Sequence, residues 1–150
     1  MTENDVPACL DIINHTIRLG GTTSDERPYT LDGLKDYYFR KPKIANVIED
    51  NGRIAGFQGV FETEPGLYSI GSFTDQKNSV RGVGRALGLQ MIADCRADGG
   101  HAIIAKILSD NVSGLAYYAS LGLSDWQVWE NDHQRPDGTW VDRIVKRIEL

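Results

Sequence analysis

The pair Asn51-Gly52 constrains the fold of this chain more than any other two residues. It separates two strand-like runs, Ala45 to Asp50 and Arg53 to Glu62. Asn-Gly adopts the positive φ angles of a two-residue type I′ turn at little cost, and the twist of that turn matches the twist of the strands it joins. A hairpin is therefore expected near the middle of the chain. Pro65-Gly66 marks a second turn, and Leu67 to Thr74 reads as a third strand of the same antiparallel meander. On the N-terminal side the period is helical. Val6, Cys9, Leu10, Ile13 and Ile17 form one face of an amphipathic helix, opened by Asn4 or Asp5 and stopped by Gly20-Gly21. Pro7 fits only in its first turn, where a missing N–H leaves no bond unmade. A polar loop, Thr22 to Thr30, precedes a short helix that carries Leu31, Leu34 and Tyr38, is capped by Thr30 and ends near Lys41-Pro42.

Past the meander, a Gly-containing loop leads to a helix from about Arg85 to Asp98, closed by Gly99-Gly100. His101 to Leu108 is a short apolar run that predicts a buried strand. Ser109-Asp110-Asn111 caps a further helix with Val112, Leu115 and Ala119 on one face, and Gly122 closes it. Asp125 to Glu130 and Thr139 to Glu149 make a last strand pair around Pro136-Asp137-Gly138. An antiparallel meander joined to a strand–helix–strand unit predicts an α+β domain, a mixed and mostly antiparallel sheet flanked by helices. With 150 residues and no repeat, linker or low-complexity tract, one domain over 1–150 is expected.

Charge and composition exclude several functions. Sixteen Lys+Arg against 21 Asp+Glu give −5, which argues against a nucleic-acid partner. The longest run without a charged residue, Asn111 to Ser124, is too short and too polar for a membrane span. The acidic, polar N-terminus carries no signal-peptide pattern. Cys9 and Cys95 sit in apolar helical patterns with no CxxC or histidine cluster, so they read as buried thiols of a reducing cytoplasm. Three scattered histidines predict no metal site.

The segment richest in chemistry is Ser79-Val80-Arg81-Gly82-Val83-Gly84-Arg85-Ala86, where a loop opens a helix. Two glycines let backbone N–H groups turn toward a ligand, and a helix N-terminus favours a phosphate or pyrophosphate. A tight loop needing glycine for its own geometry has the same pattern. A dinucleotide fingerprint fails, because Leu87 stands where its third glycine belongs, and no Gly-Lys-Ser/Thr of a Walker loop occurs.

Gly82-Val83-Gly84-Arg85-Ala86-Leu87, then Asn111, then Tyr118-Ala119-Ser120-Leu121-Gly122-Leu123 resemble, in order and spacing, the signature of the GNAT superfamily of acyl-CoA N-acyltransferases. The resemblance spans roughly Asp5 to Leu150. Shorter pieces are similar to its phosphinothricin-acetyltransferase-like branch: Asp11-Ile12-Ile13-Asn14-His15-Thr16, Glu26-Arg27-Pro28-Tyr29-Thr30 and Gly138-Thr139-Trp140-Val141-Asp142. The resemblance implies a GNAT fold and direct acetyl transfer, in a ternary complex, from acetyl-CoA to a small-molecule or amino-acid-like primary amine. It implies that Ser72, Phe73 and Thr74 hold the pantetheine and acetyl carbonyl. Ser79, Val80 and the amides of Arg81, Gly82, Val83, Gly84 and Arg85 are expected at the pyrophosphate, and Asn111 at the pantetheine arm. Tyr118 is implied to give its proton to the leaving thiolate, a role typically worth ~10²–10⁴ in rate. His15, Glu26 and Ser69 are expected at the acceptor. A homodimer is an assembly the resemblance allows.

Four departures accompany this resemblance. The Gln/Arg position of the signature falls on Ser79, leaving Arg81 or Arg85 to supply positive charge. Ser69 stands where the branch places a glutamate base on its fourth strand. Serine cannot accept a proton from an ammonium, and an amine of pKa ~10.4 is only ~0.04% neutral at pH 7. Glu62, Glu64, Asp75 or a water chain are the alternatives as base. Leu123 replaces a phenylalanine. The chain also opens at the segment that follows the first family strand, so that strand is expected to be missing and a sheet edge left unpaired. Acetylation of a peptide or protein amine, and an acyl-CoA-binding domain with weak catalysis, stand as alternative functions. Trp126, Trp129 and Trp140 are expected mainly as packing residues of the last strand pair.

Overall fold

The computed structural model describes residues 1–150. A 3₁₀ turn, Glu3–Asp5, leads into α1 (Val6–Leu19), and α2 (Leu31–Leu34) continues as a π-helical segment, Lys35–Arg40. Then follow β1 (Ile44–Asp50), β2 (Arg53–Glu64), β3 (Leu67–Thr74), α3 (Val83–Ala97), β4 (Ala102–Leu108), α4 (Val112–Ser120), β5 (Ser124–Gln134) and β6 (Trp140–Glu149). The expected hairpin forms at Asn51 and Gly52, with φ of 49° and 74°. α3 starts two residues before Arg85, because Gly82 at φ 91° turns the chain directly into the helix. β5 runs four residues past Glu130. Two register shifts and a left-handed Asn131 absorb the extra length and keep it paired to β6.

All strands form one sheet in the order β1-β2-β3-β4-β6-β5. Only β3 and β4 are parallel; the other neighbours are antiparallel. This is the mixed, mostly antiparallel sheet flanked by helices that the sequence predicts. No strand lies outside β1, whose Ala45 carbonyl accepts a bond from the Met1 ammonium at 2.9 Å. α3 and α4 bury Met91, Cys95 and Leu121 against Tyr68, Ile103 and Ala105 on one face. On the other, α1 and α2 bury Cys9, Ile13, Ile17, Leu34 and Tyr38 against Ile54 and Phe57. Both cysteines are buried and free, as expected. The three tryptophans are not core. Trp126, Trp129 and Trp140 are 47%, 37% and 54% exposed: the first two lie on the edge strand β5, where nearly every position faces solvent, and Trp140 opens β6 opposite Gln134 at the end of that strand. Arg147 lies over the Trp126 ring and Lys106 over Trp129. No helix is long and apolar enough to cross a membrane.

The parallel pair is short. Leu67–Ile70 pair with Ala102–Ala105 and pairing stops there. Past that point β3 stays with β2 as far as Thr74↔Gly56, while β4 stays with β6 as far as Leu108↔Arg143. Each strand follows its other partner, and sheet twist drives them apart. The backbone edges of Gly71–Thr74 and Lys106–Leu108 are thus left facing each other across an opening.

Candidate active site

Two cavities meet at this opening. One, of about 310 Å³, is lined by Asp25, Tyr38, Ser69, Lys106 and Tyr118 among others. The second, of about 380 Å³, runs past Thr74, Ser79, Val80 and Gly84. Thr22, Ser72, Phe73, Asn111 and Tyr117 line both, so the two form one channel through the split sheet.

The second cavity ends at the N-terminus of α3. Thr30 caps α2 through a 3.1 Å bond from the Gly33 amide, and Asn111 caps α4 through a 2.9 Å bond from the Gly114 amide. Gly82 has no side chain, and nothing caps α3. The first-turn amides of Gly84 and Arg85, which an α-helix cannot satisfy internally, are therefore available to an anion. Arg81 and Arg85 are exposed beside them. Asp75 shapes the approach to this helix. Its carboxylate accepts from the amides of Lys77 (2.9 Å) and Asn78 (3.2 Å) and from Asn78 Nδ2 (3.0 Å). Burial pushes its pKa up, but these bonds outweigh it and hold the carboxyl below its ordinary range.

Tyr118 lines the first cavity next to Ser72, which lines both, and is 8% exposed. Burial raises its pKa, opposed by the hydroxyl and main chain of Ser72. The neighbouring Tyr117 donates to the Gly84 carbonyl at 2.8 Å, so its proton is engaged in tying α4 to α3. Asn111 is likewise engaged: Nδ2 donates to the Thr22 carbonyl at 2.8 Å while Oδ1 caps α4. Two buried polar atoms here lack a partner, Thr22 Oγ1 and Gln58 Nε2. Gln58 Oε1 lies 3.5 Å from Ser72 Oγ.

Of the residues expected at the acceptor, Ser69 lines the first cavity; His15 and Glu26 do not. Glu26 is turned away because Arg135 (3.0 Å) and His133 (2.7 Å) hold its carboxylate. Arg135 also forks onto Asp110 and donates to the Thr23 carbonyl at 2.7 Å, which pins the Thr22–Glu26 loop to the sheet. The proposed bases Glu62 and Glu64 do not reach the cavity either; Glu62 binds Lys43 and the Gly66 amide. Of these five, only Ser69 shares a cavity wall with Tyr118, and Asp75, the remaining candidate base, lines the second cavity instead. The sequence did not single out Asp25, Tyr38, Lys106 or Arg143. They lie on four separate elements and share no spacing. Gly71 is the one signal that was available: a Cβ there would sit 3.0 Å from the Tyr38 hydroxyl, so its absence lets that phenol approach the split strand.

The sequence model of the acetyltransferase (GNAT) family matches residues 10–123. The chain belongs to this family and is an acyltransferase. Among solved structures, it is similar to a ribosomal-protein-alanine N-acetyltransferase from Brucella melitensis, with a TM-score of 0.90 and 22% identity over 100% of this chain and 97% of that one. An N-acetyltransferase from Staphylococcus aureus aligns with a TM-score of 0.89 and 19% identity over 99% and 94% of the two chains. A phosphinothricin acetyltransferase from Sinorhizobium meliloti, solved with acetyl-CoA, aligns with a TM-score of 0.89 and 18% identity over 100% and 85%. No curated protein matches the chain by sequence.

Proposed function

We propose that this protein is a cytoplasmic N-acetyltransferase of the phosphinothricin-like branch. It moves an acetyl group from acetyl-CoA to the primary amine of a small, amino-acid-like acceptor. One observation carries this reading: a channel crosses the split between β3 and β4, with an uncapped helix N-terminus at one end and a polar cavity at the other, and Tyr118 lines that cavity beside the shared Ser72. Acetyl-CoA fits the uncapped end. The free edge of Ser72–Thr74 offers strand-like hydrogen bonds to a pantetheine arm, and the first-turn amides of α3 suit a pyrophosphate. A Cβ at Gly84 would meet the Tyr117 ring at 3.3 Å, so glycine keeps this passage open. The neighbour solved with acetyl-CoA supports the choice of donor. Lys106 on the acceptor wall, which no carboxylate pairs, favours a substrate that carries an anionic group beside its amine.

In the reaction, the amine nitrogen attacks the thioester carbon, the C–S bond breaks, and the leaving sulfur takes the Tyr118 phenol proton. The nitrogen then gives up a second proton, which restores the phenol, and keeps the third as the amide N–H. Burial keeps Tyr118 protonated at pH values where the amine becomes neutral, as an acid requires. The first proton leaves the ammonium before attack, and the destination is decided by cost. Loss to solvent at pH 7 from a pKa of ~10.4 costs about 5 kcal/mol, whereas transfer to a carboxyl of reference pKa ~3.9 costs about 9 kcal/mol. Solvent reached through the open cavity is the better sink, which is why serine at position 69 is compatible with turnover.

The test is a CoA-release screen with acetyl-CoA and a panel of amino acids and analogues, polyamines, aminoglycosides and peptides. Release with an amino acid or analogue supports the reading. Release with peptides alone makes it a protein N-acetyltransferase. Silence, with acetyl-CoA still raising the melting temperature, makes it an acyl-CoA-binding domain.

A further inference from the structure

Asp25 is the only carboxylate lining the cavity that contains Tyr118 and Ser69. It is also without a cation. The neighbouring carboxylates are matched: Glu26 and Asp110 with Arg135, Asp132 with Arg143. Asp25 instead accepts two neutral hydroxyls, Thr23 Oγ1 and Tyr29 Oη, each at 3.2 Å. These fix the carboxylate and leave two of its roughly four acceptor positions open.

The wall beside it is aromatic. Tyr37, Tyr38 and Phe61 line the same cavity. Their ring centroids lie 5.0 Å (Tyr37–Tyr38), 5.2 Å (Tyr37–Phe61) and 5.8 Å (Tyr38–Phe61) apart. Tyr29 extends the cluster toward Asp25, with its ring 6.3 Å from that of Tyr37. Burial raises the pKa values of Tyr29, Tyr37 and Tyr38, and the negative charge of Asp25 adds to the rise in all three, so the carboxylate sits close to this whole wall. The wall already attracts a cation from outside: Lys41 Nζ lies 4.8 Å from the Tyr37 centroid. A fixed, unpaired carboxylate beside π-faces is the chemistry that recognises an ammonium group.

We infer that Asp25 and the Tyr37–Tyr38–Phe61 wall form the ammonium-recognition site of the acceptor cavity. The inference rests on the acetyl-transfer reading for its consequence in turnover, but not for the binding itself. Asp25 anchors the cation; the proton leaves to solvent as derived above. Asp25 thus sets acceptor affinity, and the pH dependence of the rate follows the acceptor's own amine.

The test uses Asp25→Asn and Tyr37→Leu in the full chain, each first shown to melt like the parent. Calorimetry with butyltrimethylammonium reads binding alone, since a quaternary nitrogen cannot be acetylated. Asp25→Asn is expected to weaken it about 10- to 100-fold, the scale of a lost hydrogen bond to a charged partner, and Tyr37→Leu by a smaller factor. With an acetylated amine, Asp25→Asn should raise KM by a similar factor while kcat, acetyl-CoA affinity and the rise of rate with pH are retained. Unchanged binding of the quaternary ion overturns the site. A fall in kcat with loss of the pH-dependent limb also overturns it, since that would make Asp25 the base. If the parent binds the quaternary ion through Asp25 yet acetylates no amine, the site stands and the acetyl-transfer reading fails. If amines are acetylated equally by both proteins, the reverse holds.

Discussion

Replacing Arg135 with methionine removes the guanidinium that pins the Thr22–Glu26 loop while keeping most of the apolar stem. Arg135 is 8% exposed and makes four bonds: to Asp110 at 2.9 and 2.8 Å, to Glu26 at 3.0 Å and to the Thr23 carbonyl at 2.7 Å. Removing one partner of a buried ion pair costs about 3–5 kcal/mol, because the other is left uncompensated. Here the side chains of Asp110 and Glu26 are 36% and 27% exposed, so water takes over part of their solvation. The loss is then about 2–3 kcal/mol. In urea denaturation this lowers the midpoint by about 1 M or more at typical slopes. The pH dependence has a definite sign. Arg135 is the main cause that holds Asp110 below its ordinary pKa of 3.8, and His133 followed by Arg135 does so for Glu26, ordinarily 4.5. A depressed carboxylate stabilises the fold above its unfolded pKa, and the contribution fades as pH falls through the lower folded value. The gap between parent and Arg135→Met should therefore be full at pH 6–7 and narrow progressively below about pH 4.5. A loss under about 0.5 kcal/mol at pH 7, or a gap that stays constant or widens in acid, would refute the reasoning.

Gly88→Ala should destabilise the protein by up to about 2 kcal/mol, read as a lowered Tm: the new Cβ would collide with Leu121 Cδ1 and meet the Tyr117 hydroxyl at 2.9 Å, and overpacking of about 1–3 kcal/mol is offset by a helix gain of about 1. Its acetyl transfer should fall with the displacement of α4, which carries Tyr118. Burial pushes the thiols of Cys9 and Cys95 up to about 12, so the folded protein should not react with a disulfide reagent at pH 8, and two thiols should appear on unfolding; rapid labelling of either in the native state would contradict their burial.

Local chemistry made most of the fold legible. The Asn51-Gly52 turn, the glycine stops after Leu19 and Ala97 and the Thr30 and Asn111 caps act within a few residues, and each element they bound is present. The errors lie where tertiary context decides. Trp126 and Trp129 look like core by residue type, yet β5 is an edge strand whose positions nearly all face solvent, a property of sheet order. The residues proposed for the donor are legible in sequence because they come from one contiguous segment, Ser72 to Arg85, plus two spaced residues, Asn111 and Tyr118. Those of the acceptor cavity are not. Asp25, Tyr38, Lys106 and Arg143 come from a loop, a helix and two strands, and only the split of β3 from β4 brings them to one cavity. Glu26 was the conspicuous acid of its loop, but Arg135, more than a hundred residues away, claims it and leaves Asp25 facing the cavity.

The most direct test of the account is to measure kcat and acetyl-CoA affinity side by side for Tyr118→Phe and the parent, with an amine found by the CoA-release screen. Phenylalanine keeps the buried ring and removes only the acid. The account predicts a fall in kcat of about 10²- to 10⁴-fold with acetyl-CoA affinity retained. Equal turnover would contradict it, because the proton would then reach the leaving sulfur from somewhere other than Tyr118.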